Sequence, residues 1–111
     1  MADAEERAEI GKRLKVARKQ AGLSQGQVAT LLGLHRPSVS ELEAGRRAVT
    51  AEELARLTEI YDVSVDWVLS RSTRGESPEV ELAARELGKL KPEDLDRVLE
   101  LLTRLRTGKQ L

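Results

Sequence analysis

The chain has 111 residues, 40% of them apolar, with one Trp, one Tyr, no Phe and no Cys. That length suits one domain with an appendage, and without cysteine there is no disulfide framework, no thiolate zinc site and no Cys nucleophile. The formal charge is zero, which argues weakly against a nucleic-acid partner, yet Lys12, Arg13, Lys15, Arg18 and Lys19 follow one another without an intervening acid, so a one-sided field remains available.

A core without Phe must be built from Leu, Val, Ile and Ala, and runs of β-branched or aromatic residues are few. The expected class is therefore all-α. The longest apolar runs fall far short of a membrane span, and the first residues, MADAEERAEI, are acidic and carry no hydrophobic signal region. A soluble cytoplasmic protein with no membrane partner is expected.

In chain order, the first helix is expected from about Glu6 to Ala21, burying Ile10, Leu14 and Ala17 and stopping at Gly22. Ser24 is a good N-cap for the second, and Gln27 completes a capping box. Val28, Ala29, Leu31 and Leu32 follow at helical spacing. Gly33 supplies the positive φ that a helix C-terminus or tight turn needs. The third helix starts near Arg36, with Pro37 in its first turn, where a missing N–H costs nothing. Val39 and Leu42 face inward and Gly45 ends it. Helix, short Gly-containing turn, helix is the helix-turn-helix pattern.

Arg46 to Val49 reads as a loop. Thr50 caps a fourth helix, with Glu53 at the capping-box position and Leu54, Leu57, Thr58 and Tyr61 on one face. After a short Asp62–Val63 link, Ser64 caps a fifth, in which Val65, Val68 and Leu69 close the core with Trp67 as filler. Residues 71–77, RSTRGES, are polar and without periodicity and read as a linker. Ser77–Pro78 opens a sixth helix with a stripe of Val80, Ala83, Ala84, Leu87 and Leu90. Pro92 sits in the first turn of a seventh, which carries Leu95, Val98, Leu99, Leu102 and Leu105 and ends before Gly108. Leu95, Val98, Leu102 and Leu105 follow an a/d spacing over about two heptads.

With IGKRLKVARKQAGLSQ, VATLLGLHRPSVSELEAGRR and TAEELARL followed by YDVSVDWVL in place, residues 10 to 69 resemble the Cro/CI-like, or xenobiotic-response-element (XRE), family of bacterial and phage regulators. The resemblance implies a five-helix lambda-repressor-like DNA-binding domain over 6–70. Residues 78–107 are expected to form a C-terminal two-helix dimerisation unit after the 71–77 linker.

The resemblance implies that the N-terminal half of the third helix enters the major groove of double-stranded DNA, where each base pair shows its own donor and acceptor pattern. Base contacts then fall to Arg36, Pro37 and Glu41. Arg36 can pair with guanine O6 and N7 or touch phosphate only. Pro37 offers apolar contact, as to a thymine methyl. Glu41 can accept from cytosine N4 or pair with a neighbouring cation such as Arg36. Ser24 and Gln25, at the start of the second helix, can hold a phosphate as well as cap. His35, Ser38 and Ser40 are placed to bond phosphate or backbone, and Arg46 and Arg47 to reach phosphates beyond the third helix. Glu43 points inward and needs a partner; relatives' pairing of an acid here with an Arg of the first helix implies Arg18.

Specific affinity in such small domains comes from a dimer on two half-sites. A homodimer through Leu87, Leu95, Val98, Leu99, Leu102 and Leu105 is expected, the alternative being that these helices fold back. The protein also resembles regulators that stand beside ImmA/IrrE-type metallopeptidases or toxins, so an antitoxin or adaptor that binds such a partner and autoregulates its operon is the second reading. There is no paired Ser/His/Asp, no H-E-x-x-H and no phosphate-cradling Gly loop, so no enzyme, cofactor or metal is expected.

Overall fold

A computed structural model describes residues 4–70 and 77–108. These form seven helices and, among the described residues, no strand: α1 Ala4–Gln20, α2 Gln25–Leu32, α3 Arg36–Glu43, α4 Ala51–Tyr61, α5 Val65–Leu69, α6 Pro78–Leu87 and α7 Pro92–Thr107. Of the expected linker only Ser77 falls within the described residues. The chain divides into two compact units, Met1–Pro78 and Glu79–Leu111.

The first unit is built by local chemistry. Ser24 Oγ accepts from the Gln27 N–H and Gln27 Oε1 accepts from the Ser24 N–H, closing the expected box at the start of α2. Thr50 and Glu53 repeat it on α4, and Ser64 caps α5. Each box satisfies two of the amide groups that a helix start leaves without partners. At the far end of α2, Gly33 turns left-handed, and the Leu34 N–H bonds Ala29 O at 2.8 Å. Arg56 reaches across from α4 and donates to Leu31 O at 2.6 Å. It supplies the cation that a helix C-terminus favours and that α2 lacks in its own last turn.

The core of this unit gathers Leu14 and Ala17, Val28, Ala29 and Leu32, Val39 and Leu42, Leu57 and Tyr61, and Trp67 and Val68. Burial of these aliphatic faces is the main favourable contribution to the fold. Two expectations need correcting. Leu31 is exposed: the buried face of α2 centres on Val28, Ala29 and Leu32, and Leu31 lies roughly 100° round the helix from its middle. Val65 and Leu69 are also exposed, because α5 has only five residues and turns just Trp67 and Val68 inward. Arg13 is buried, its guanidinium carbon 5.5 Å from the centre of the Trp67 ring, where the ring's negative face attracts the cation.

The angle at which α1 crosses α3 depends on a residue with no side chain. A Cβ on Gly11 would stand 2.5 Å from the carbonyl oxygens of Leu42 and Glu43, so only glycine lets the two backbones meet. Gly45 is constrained twice. It holds φ at +77°, and a Cβ there would lie 2.7 Å from the Ala8 Cα.

In the second unit the expected α6 stripe is not the buried one. Val80, Ala83, Ala84 and Leu90 are exposed and Leu87 is half-buried, whereas Leu82 is 2% exposed. Helix α7 has no buried residue. Leu95 and Val98 are half-covered, and Leu99, Leu101, Leu102 and Leu105 are exposed, Leu105 at 68%.

Candidate nucleic-acid interface

Helices α2 and α3 are tied together from beneath by one buried carboxylate. Glu43, at the last position of α3, receives Arg18 Nε at 2.7 Å and Arg18 Nη2 at 3.1 Å. The remaining Arg18 nitrogen, Nη1, donates to Leu23 O at 2.8 Å. Gln25 Nε2 donates to Glu43 Oε1 at 3.1 Å from the first position of α2. Four segments therefore share one charge: the end of α1, the turn before α2, the start of α2 and the end of α3. Such a charge is tolerated inside a protein only when paired and fully hydrogen-bonded. Tyr61 of α4 feels the same carboxylate. Burial first and Glu43 second push its hydroxyl above the ordinary tyrosine range, so the phenol stays protonated beside the acid.

Arg18 is the partner expected for Glu43, and the pairing makes it a structural residue. Glu43 also accepts from Gln25. One amide proton of Gln25 is spent on Glu43, so the side chain is held rather than free to swing. Sequence reasoning missed this bond; Gln25 and Glu43 are 18 residues apart, and nothing local links them.

The opposite face of the pair is open. His35 occupies the N-cap of α3 without a side-chain cap bond, and His35, Arg36 and Pro37 are all exposed. Ser38 and Ser40 are half-buried. The leading end of α3 thus presents a guanidinium, an imidazole and a pyrrolidine ring, while its trailing end is pinned by Glu43. Ser24 Oγ accepts the capping bond and keeps its own O–H to donate.

Beyond α3 the chain turns through Gly45, and the Arg46 N–H bonds Glu41 O while the Gly45 N–H bonds Leu42 O, the paired carbonyl closure of a left-handed helix end. Arg46 Nε donates to Glu41; both side chains are largely exposed. Glu41 therefore takes Arg46, rather than Arg36, as its cation. Arg47 forms a two-pronged pair with Glu53, at 3.0 and 2.8 Å. That bond clamps the α3–α4 loop onto the capping box of α4, and it holds the Glu53 carboxyl below the usual carboxylate range, with the Thr50 amide adding to the effect. Of the cations after α3, Arg46 is the more accessible and Arg47 the more committed.

A helical pair locked at one side and bare at the other, framed by three further helices, defines a lambda-repressor-like helix-turn-helix domain. The model of a family described as "Helix-turn-helix domain" matches residues 9–68. The HTH-type transcriptional regulator ImmR of Bacillus subtilis (strain 168) is 32% identical over 89 residues, covering 77% of this chain and 70% of that protein. YqaE of the same organism, an uncharacterized HTH-type transcriptional regulator, is 34% identical over 105 residues, or 81% and 86% of the two chains. PuuR of Escherichia coli (strain K12), also an HTH-type transcriptional regulator, is 33% identical over 70 residues, 63% of this chain and 38% of its own. The chain belongs to the XRE family of DNA-binding helix-turn-helix transcriptional regulators.

Proposed function

We propose that this protein is a homodimeric repressor that recognises a near-palindromic operator by placing the N-terminal end of α3 in the major groove. The observation that carries the reading is the asymmetry of α3. Its trailing end is fixed by the Glu43–Arg18–Gln25 cluster, and its leading end, Arg36 and Pro37, is exposed with no side chain folded over it. A rigid helix with an open end fits the wide groove of B-DNA, where a guanidinium can pair with guanine O6 and N7. Phosphate contacts then fall to Ser24 and the free N–H groups at the start of α2, to the second amide proton of Gln25, to His35, Ser38 and Ser40, and to Arg46 once it exchanges Glu41 for a phosphate. Arg47 adds field from its place against Glu53 rather than a flexible reach. In the same reading, residues 6–70 bind DNA and 78–107 join two copies through Leu87 and the apolar residues of α7. Glu41 stays on Arg46 or, released, accepts from cytosine N4.

Selection of bound sequences from random duplexes tests this. The expected product is two half-sites with centres roughly 34 Å apart, about one helical turn, bound with an affinity that falls steeply as salt is raised. Arg36→Ala is expected to relax preference at one position per half-site at a cost of about 1–3 kcal/mol per contact. Enrichment of no sequence, or an affinity indifferent to salt, would overturn the reading.

A further inference from the structure

Helix α7 is acidic toward its start and basic at its end, with Arg97 and Glu100 between. Glu93, Asp94 and Asp96 stand near its start and Arg104 and Arg106 in its last turn. Between them Leu95, Val98, Leu102 and Leu105 form one seam, none of it buried, with Leu102 47% and Leu105 68% exposed. The seam is symmetric about Glu100: Leu95 and Leu105 lie equally far to either side, and so do Val98 and Leu102. Turning the helix end for end lays the seam onto itself and exchanges the acidic end for the basic one.

We propose that α7 packs antiparallel against α7 of a second copy, about a two-fold axis passing beside Glu100. This rests on the homodimer reading above and adds its geometry. In this arrangement Leu95 layers against Leu105 of the partner subunit, and Val98 against Leu102 of the partner subunit, a knobs-into-holes alternation. The acidic start of each helix then lies level with the basic end of its partner, and the two helix dipoles oppose each other favourably. A parallel pair would bury the same leucines but set acids against acids and arginines against arginines, so electrostatics selects the orientation. The ion pair of Arg97 with Asp94 at 3.8 Å is exposed and too weak to hold Asp94 back.

Acids at the start and arginines at the end also suit the dipole of an isolated helix, so the test must separate the two causes. Full-length chains carrying D94R/D96R, R104D/R106D, or all four changes are compared with wild type by sedimentation equilibrium. Each pair of changes alone is expected to weaken self-association about tenfold or more, because attractive contacts become repulsive at both ends of the symmetric pair. The fourfold variant is expected to recover to within about threefold of wild type, although its charges oppose the helix dipole at both ends. Single cysteines in this cysteine-free chain give a second readout: L95C in one copy is expected to cross-link to L105C in another and not to a second L95C. Unchanged association in the two-residue variants, or no recovery in the fourfold one, overturns the antiparallel pairing and leaves the dimer standing. A monomeric wild type at concentrations that saturate DNA overturns the dimer itself, and with it this geometry, and assigns the seam to a different protein.

Discussion

Glu43 is the residue on which the orientation of α3 turns. Its carboxylate is buried and its stabilisation comes wholly from Arg18 and Gln25. Removing one member of such a cluster strands the others in a low-dielectric site. Glu43→Ala is therefore expected to cost about 3–5 kcal/mol of folding stability, read from urea unfolding. A loss no larger than that of a surface mutant would contradict the geometry described for the cluster. This pairing was partly legible. An acid on the inward side of an amphipathic helix requires a counter-charge, and the family pattern pointed to Arg18. Gln25 was not legible in this role, because a glutamine at a helix start reads equally well as a phosphate ligand. Arg13 was hidden for a similar reason: within a run of cations it looks like part of a solvated face, and only the position of Trp67 makes its burial sensible.

At the scale of the elements, the capping boxes at Ser24 and Thr50 were readable because they depend on residues three positions apart and on nothing else. The positions that failed are those decided by neighbours. Leu31, Val65 and Leu69 are apolar and at helical spacing, yet their helices turn other residues inward. Gly11 looks like a mere weak spot in a helix until the carbonyls of α3 are placed against it. Gly11→Ala is expected to destabilise the protein, against the usual gain from Gly to Ala within a helix; the sign of the shift in melting temperature decides it. The clamp between Arg47 and Glu53 predicts a pH dependence. The folded-state pKa of Glu53 is depressed below its ordinary 4.5. The stability it contributes is thus complete above that value and is lost as pH falls through the folded-state pKa below it. The stability gap between wild type and Glu53→Gln should be widest near neutrality and narrow progressively below about pH 4.5. A gap that stays constant down the acid range would remove the ion pair from the ledger of the α3–α4 loop.

For the whole molecule, the division of labour is the claim. In the proposed reading, the first unit binds DNA and the second brings two copies together. The α7 seam was visible in the sequence as an a/d spacing, whereas the burial of Leu82 was not, since a short helix with apolar residues on several faces does not reveal which face is used. Leu102→Asp is expected to halve the mass in solution while leaving the urea transition of the first unit in place. An unchanged mass would move the dimer contact elsewhere. No helix among the described residues is long and apolar enough to cross a membrane. The central claim, that the open end of α3 lies in the major groove with Arg36 against a base edge, is tested most directly by methylation interference at guanine N7 on a selected operator. One guanine per half-site is expected at which methylation blocks wild type and leaves Arg36→Ala indifferent. If N7 methylation interferes nowhere, or interferes equally with both proteins, α3 does not read the groove in this way.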